Sequence, residues 1–142
     1  MISPEIAIQT GDVLPSYPYL WGWQRNRGED AGRKERPVCV AIVSRDQAGL
    51  THLALLAISG TPPMAGQRAI KVPSLEIRRM GLQEHKQAWI TVSEYNYDIL
   101  ELSFSVEPLR SPLKKLSVPF LKVILTALRP SLATSSSRID RL

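Results

Sequence analysis

The sequence predicts a mainly β domain with a C-terminal α-helix, its strands forming a small antiparallel barrel or a strongly bent sheet. Short β-rich runs recur along most of the chain, separated by turns rich in glycine and proline. One longer helical pattern lies near the end, over residues 117–128. The 142 residues include 44% hydrophobic and 22% charged side chains, as expected for a single globular domain.

Local patterns predict each element in turn. Five or six short strands are expected, at residues 11–14, 38–44, 51–58, 69–72, 89–92 and 99–106. The runs at 38–44 and 51–58 do not alternate, which predicts burial on both faces. A short helix over residues 74–80 is expected to begin with Ser74 as its cap and to end at a left-handed Gly81.

The end of the chain predicts one longer helix. Ser117 is its expected cap, the helix covers residues 117–129, and Pro130 is expected to end it. Residues 1–132 are therefore expected to form a single domain. The serine-rich residues that follow predict a flexible tail over 133–142.

Hydropathy argues against a membrane protein. The longest strictly apolar run covers residues 53–58, far short of the ~20 residues that a membrane helix needs. The first residues do not combine a basic start with an apolar run, so no secretory signal is expected.

Candidate metal ligands and nucleophiles are few. Cys39, the single cysteine, lies in an apolar run, which predicts a buried thiol and favours a cytoplasmic location. His52 lies in a strand and is expected to be structural, and His85 lies in a polar loop and is expected to be exposed. No zinc pattern or common catalytic or nucleotide-binding motif occurs, so neither a metal nor a cofactor is expected.

The positive charge is concentrated at the end of the chain. Residues 107–142 carry 7 basic and 2 acidic side chains, which account for the whole net charge of +5. Such an excess favours a polyanionic partner, or it belongs to a solvated basic helix and tail.

Aromatic and basic side chains gather in the long connection over residues 15–35. Its aromatic residues fall at alternate positions, which predicts either a stacking face for unpaired bases or core packing: Tyr17, Tyr19, Trp21 and Trp23. The basic residues that follow are candidates for contact with RNA phosphates: Arg25, Arg27, Arg33 and Lys34.

Further candidates lie at strand ends. Arg36 precedes a proline and a buried strand, so its guanidinium is either a rigid phosphate ligand or a surface group. Ser59 and Thr61 follow an apolar strand, where hydroxyls hold a phosphate oxygen or close a turn. Glu94 follows another strand and is a candidate general base or a salt-bridge partner.

The order of these motifs resembles the PemK/MazF-like toxins, the toxin halves of bacterial toxin–antitoxin pairs. The similar stretches are Gly-Asp-Val at 11–13, Arg-Pro at 36–37, Ala-Ile-Ser-Gly-Thr at 57–61 and Trp-Ile-Thr-Val-Ser-Glu-Tyr-Asn at 89–96. The resemblance covers residues 11–97 and is weaker in the terminal helix. The chain departs from the family pattern at Ala57, Ser59 and Ala88, where proline, threonine and serine are usual.

The resemblance implies an SH3-like barrel, a homodimer and metal-independent endoribonuclease activity, with the ribose 2′-OH of single-stranded mRNA attacking the adjacent phosphate. Arg36 would stabilise the charge of the transition state, Ser59 would hold the scissile phosphate and Glu94 would serve in acid–base catalysis. A cognate antitoxin would cover the groove between residues 17–36 and 59–63. The alternative is a non-catalytic barrel that binds protein or nucleic acid, or that poisons gyrase by contact.

Overall fold

A computed structural model of the chain describes residues 7–32, 34–106 and 113–142. The strands in these ranges are β1 (Val13–Tyr17), β2 (Arg36–Arg45), β3 (Thr51–Ser59), β4 (Ala69–Lys71), β5 (Trp89–Thr91), β6 (Tyr95–Ile99) and β7 (Arg138–Asp140). The α-helices are α1 (Gly22–Asn26), α2 (Ser74–Arg79) and α3 (Val118–Leu132). The fold is thus mixed α/β, with a seven-stranded, largely antiparallel sheet and a C-terminal helix.

The sheet bends because β3 has a different partner along each part of its length. Strands β1, β2 and β3 pair in that order, and the first half of β3 then pairs with β6, as in Leu53 opposite Asp98. The end of β3 pairs instead with β5, as in Ile58 opposite Ile90, and β4 lies outside β5. A single long strand therefore belongs to two branches of the sheet.

The expected closed barrel is not present. Among the described strands, no pairing joins β4 or β7 to β1. β4 is only three residues long, and the chain turns at Pro73 into α2 before it could reach the opposite edge. The sheet is therefore open rather than closed into a barrel.

Strands β2 and β3 are buried on both faces, as their continuous apolar runs predict. On one face, Leu56 and Ile90 pack with Ile124 of α3. On the other face, Val38 and Leu55 pack with residues of the connection that follows β1. Cys39 is fully buried as expected, and burial raises the pKa of its thiol to about 12.

Helix α2 matches its expected range but not its expected cap. Pro73, not Ser74, occupies the N-cap position, and no side chain caps the helix. Gly81 has φ of +74° as expected, and the backbone N–H of Leu82 donates to Ile77 O at 3.1 Å. The helix thus ends at Gly81, in a left-handed conformation that only glycine adopts without strain.

Helix α3 begins as expected and ends later than expected. The Ser117 hydroxyl accepts from the backbone N–H of Phe120 at 3.3 Å. Pro130 does not end the helix, which continues to Leu132. The last turn is held to the sheet because the Ser131 hydroxyl donates to Val92 O at 2.7 Å. This hydrogen bond holds the last turn of the helix in place although Pro130 has no backbone N–H to donate.

Two other segments differ from their expected structures. The strand expected at 99–106 is not formed: β6 ends at Ile99, where the Asp98 carboxylate accepts from the backbone N–H of Ile99 and from the Ser103 hydroxyl, both at 2.8 Å, and turns the chain. The expected flexible tail instead contains β7, which pairs parallel to β6. Ile139 of β7 is fully buried, so its packing holds the segment in place.

None of the helices in the described ranges combines the length and apolar character required to cross a lipid bilayer.

Candidate functional site

A groove of about 590 Å³ opens where β2 begins and β3 ends, and we call it the β2–β3 groove. The antiparallel register that pairs Val38 with Ala57 brings Arg36 opposite Ser59. The side chains that line the groove include cationic, hydroxyl, imidazole and indole groups: Trp21, Trp23, Lys34, Arg36, Ser59, Thr61, His85 and Trp89. Most candidates from the sequence therefore meet in one place.

Arg36 presents a cation that forms no ion pair with the carboxylates of the described residues. Its guanidinium carbon lies 5.1 Å from the centroid of the Trp21 ring, and its buried Nε has no hydrogen-bond partner within the described part of the chain. Burial lowers the pKa of Arg36 below its usual value, although a guanidinium stays charged at neutral pH. A half-buried cation with unused donors is well suited to bind an anion.

Ser59 and Thr61 place hydroxyl groups beside this cation. The backbone N–H of Thr61 donates to the Ser59 Oγ at 3.1 Å, which closes the turn after β3. The Ser59 hydroxyl still has its own proton to donate. The two interpretations of this segment, a turn and a hydroxyl site, are therefore compatible.

His85 lies in the groove rather than at an open surface, contrary to expectation. A Cβ added at Gly60 would lie 3.0 Å from the His85 Nδ1, so the imidazole packs directly against the glycine backbone. The nearest carboxylate oxygen, from Glu84, lies 3.7 Å from Nε2. Trp89 pairs with Ser59, and this long-range pairing brings the loop that carries His85 to the end of β3.

The four alternating aromatic residues divide into two pairs. Tyr17 and Tyr19 are buried in the core, whereas Trp21 and Trp23 are half-buried and line the groove. The alternation fails because β1 ends at Tyr17 and the chain then turns into α1. Core packing thus describes the first pair, and only the second pair lines the groove.

Two polar side chains of β6, those of Asn96 and Asp98, hold this aromatic segment in place. The Tyr17 hydroxyl donates to the Asp98 carboxylate at 2.8 Å. Asn96 is fully buried, accepts from the backbone N–H of Leu20 at 2.9 Å and donates to its carbonyl at 2.7 Å. Sequence reasoning missed Asn96 and Asp98, although their spacing of two places them on one face of a strand.

Glu94 continues this series and does not line the β2–β3 groove. Its Oε2 accepts from the Tyr19 hydroxyl and from the backbone N–H of Gly22, both at 3.0 Å. Burial raises the pKa of Glu94 above its usual value. Its carboxylate lines a smaller neighbouring cavity of about 330 Å³. The structure thus separates Glu94 from Arg36 and Ser59, the two residues that the family resemblance implies as its catalytic partners.

The basic candidates are also divided. Lys34 lines the β2–β3 groove, whereas Arg25 lines the smaller cavity and donates to the backbone carbonyls of Arg138 at 2.7 Å and Ser136 at 3.3 Å. The Arg27 guanidinium lies 5.3 Å from the centroid of the Trp23 ring. Arg33 lies outside the described residues.

His52 has a structural environment, as expected. Its Nε2 lies 2.8 Å from the Asp46 carboxylate, and its Nδ1 contacts the Tyr97 hydroxyl. It does not line either of the two cavities described above.

Within the described ranges, no cluster of three or more His, Cys, Asp or Glu side chains could hold a metal ion. The chain matches no model of a known protein family and no curated protein. The chemistry of the groove itself is therefore the basis for a functional proposal.

Proposed function

We propose that this protein is an endoribonuclease that cleaves single-stranded RNA in the β2–β3 groove without a metal ion. The observation that carries the proposal is the Arg36 guanidinium, which forms no ion pair with the described residues, in one groove with the His85 imidazole and the Ser59 hydroxyl; Glu35, which accepts from the Ser16 hydroxyl, lines the same groove. A cation for a phosphate, an imidazole that can accept a proton and a hydroxyl donor are the parts that phosphoryl transfer requires.

The proposed reaction uses the nucleophile of the RNA itself. The ribose 2′ oxygen attacks the adjacent phosphorus, the O2′–P bond forms and the P–O5′ bond breaks, which leaves a 2′,3′-cyclic phosphate and a 5′-OH. The His85 imidazole accepts the 2′-OH proton and afterwards releases it to solvent, and a water molecule donates the proton that the leaving 5′ oxygen takes up. Arg36 donates to the non-bridging oxygens as they gain charge, and Ser59 and Thr61 orient the phosphate.

The walls of the groove suit an unpaired strand. The indole groups of Trp21, Trp23 and Trp89 line the groove, each with a basic side chain over its ring, and Lys34 adds a cation for the backbone. Stacking on indole faces requires unpaired bases, so this arrangement favours single-stranded RNA over a duplex.

The proposal includes the role of a toxin in a toxin–antitoxin pair. Its support is the motif resemblance to the PemK/MazF-like toxins, together with Arg36 and Ser59 meeting in one groove. The bent sheet with its C-terminal helix would then be an opened relative of the SH3-like barrel. The cognate antitoxin would place a segment that folds on binding across the β2–β3 groove, where RNA would otherwise lie.

A homodimer is part of the same proposal. Helix α3 buries Phe120 and Ile124 against the sheet, while Val118 is 65% and Val123 is 50% exposed on its outer side. Covering these apolar side chains with a second copy would remove them from water.

A non-catalytic binding module is the second candidate. Ala57 and Ala88, two of the departures from the family pattern, are fully buried and contribute no polar group to the groove. Glu94, the carboxylate carried over for acid–base catalysis, lies in the other cavity. A groove that binds RNA without cleaving it would be consistent with both observations.

One experiment separates the two candidates. The purified protein is incubated with a long single-stranded RNA in EDTA, and the fragment ends are identified. We expect 5′-OH and 2′,3′-cyclic phosphate ends with the parent protein and about 10²-fold slower cleavage with the folded His85→Ala variant. Retarded migration of intact RNA in a gel, without cleavage by the parent protein, would favour the binding module.

A further inference from the structure

The smaller cavity adjoins the β2–β3 groove, and we call it the side pocket. Three residues line both spaces: Trp23, Met64 and Gln67. An RNA strand with its scissile phosphate beside Arg36 would therefore pass the mouth of the side pocket. A base next to that phosphate has a direct route into it.

Glu94 is the acidic group that lines this pocket. Its Oε2 accepts both structural hydrogen bonds, from Tyr19 and Gly22, whereas its Oε1 accepts none from the described residues. Because Gly22 has no side chain, no Cβ closes off the carboxylate: a Cβ there would lie only 3.3 Å from Oε1. The carboxylate is thus fixed by one oxygen and has the other available as an acceptor.

The side pocket does not suit a phosphate group. The Glu94 carboxylate repels an anion, and the Arg25 guanidinium already donates to two backbone carbonyls. A neutral ligand with a hydrogen-bond donor fits better, because Glu94 Oε1 offers an acceptor; Trp23, with the Arg27 guanidinium 5.3 Å from its ring centroid, lines the same pocket.

We propose that the side pocket binds one unpaired RNA base and that Glu94 Oε1 selects a base with an exocyclic amino group. This inference rests on the proposed RNA-cleaving function and adds a base preference to it. Cytosine presents an amino donor at the position where uracil, a base of the same size, presents a carbonyl acceptor. Cytosine is therefore accepted and uracil is rejected, since its carbonyl would face a carboxylate.

The Glu94→Gln substitution tests this selection with little change in shape. The glutamine oxygen can accept the hydrogen bonds from Tyr19 and Gly22, which places the amide nitrogen where Oε1 lies. An acceptor facing the pocket then becomes a donor, so the base preference is expected to move from cytosine towards uracil. Glu101→Gln is the matched control, because Glu101 also accepts two hydrogen bonds, both from Thr51, and lines neither the groove nor the side pocket.

The measurement is tryptophan fluorescence titration with 2′-O-methyl pentacytidine and pentauridine, which lack the attacking hydroxyl and are not cleaved. We expect the parent and the Glu101→Gln variant to bind pentacytidine about tenfold more tightly than pentauridine. We expect Glu94→Gln, checked as folded by circular dichroism, to lose or reverse that ratio. An unchanged ratio in Glu94→Gln, or no binding of either oligomer by the parent, would overturn the base pocket.

The same samples are tested for cleavage of a long RNA, so that the two proposals fail separately. RNA cleavage with no preference that depends on Glu94 would reject the base pocket and leave the endoribonuclease standing. Discrimination between the two oligomers without RNA cleavage would reject the endoribonuclease and retain base selection by a binding protein.

Discussion

Replacing Arg36 with alanine should abolish most cleavage without unfolding the protein. The guanidinium has no carboxylate partner in the described part of the chain, and its buried Nε is unpaired. These donors are therefore available to the phosphate as it gains charge in the transition state. Because no structural hydrogen bond of the described residues depends on them, their loss should act on the reaction rather than on the fold.

The expected loss of cleavage rate is much larger than the expected loss of stability. Removing one preorganised donor from a charged transition state costs about 10²–10³ in rate, or roughly 3–4 kcal/mol. The stacking of Arg36 on Trp21, at 5.1 Å, contributes about 0.5–1 kcal/mol to stability, and desolvation of the unpaired charge offsets part of it. We therefore expect the free energy of unfolding to change by less than about 1 kcal/mol.

The assay combines RNA cleavage rates, growth inhibition on expression, and denaturant unfolding. Arg36→Lys keeps the charge but lacks the planar fork, so it should restore only a small part of the rate. Arg45→Ala is the matched control, since Arg45 is an exposed arginine at the other end of β2, about 30 Å away by the rise of an extended strand. Parental cleavage and growth inhibition by a folded Arg36→Ala protein would refute the role of Arg36 and favour the binding module.

Four further outcomes are expected. His85→Gln should reduce cleavage about 10²-fold or more, and parental cleavage by the folded variant would count against an acid–base role. Ile139→Ala should lower the free energy of unfolding by about 2–4 kcal/mol in urea, because Ile139 is fully buried; a neutral effect would mean that β7 is not docked. Burial raises the pKa of Glu94, so the stability from this group is lost as the pH rises from the ordinary glutamate pKa through the folded one. Glu94→Gln should therefore lose less stability than the parent over that rise in denaturant titrations, and equal losses would contradict the raised pKa. Val123→Asp should convert the proposed dimer into a monomer in sedimentation at micromolar concentration, and a parent that sediments only at 15.8 kDa would reject the dimer.

Local chemistry determined the parts of the fold that the sequence predicted well. The apolar runs of β2 and β3 required burial on both faces, and Gly81 and Ser117 marked helix ends through backbone conformation and capping. Arg36 and Ser59 could also be chosen from the sequence, because each lies at the end of an apolar strand. Such signals act within a few residues, so they need no knowledge of the partner segment.

Pairing between distant segments decided the rest. No pairing joins β4 or β7 to β1 among the described strands, so the sheet stays open, and the pairing of β3 with β5 carries His85 into the groove. Ile139 is held by contacts with β6, some forty residues earlier in the chain. Its serine-rich neighbours in the sequence give no sign of this pairing, and they therefore suggested a tail. Glu94 is held by Tyr19 and Gly22, more than 70 residues away, and this places its carboxylate in the side pocket. The energies of such contacts depend on which surfaces meet in three dimensions, and only the tertiary structure determines that.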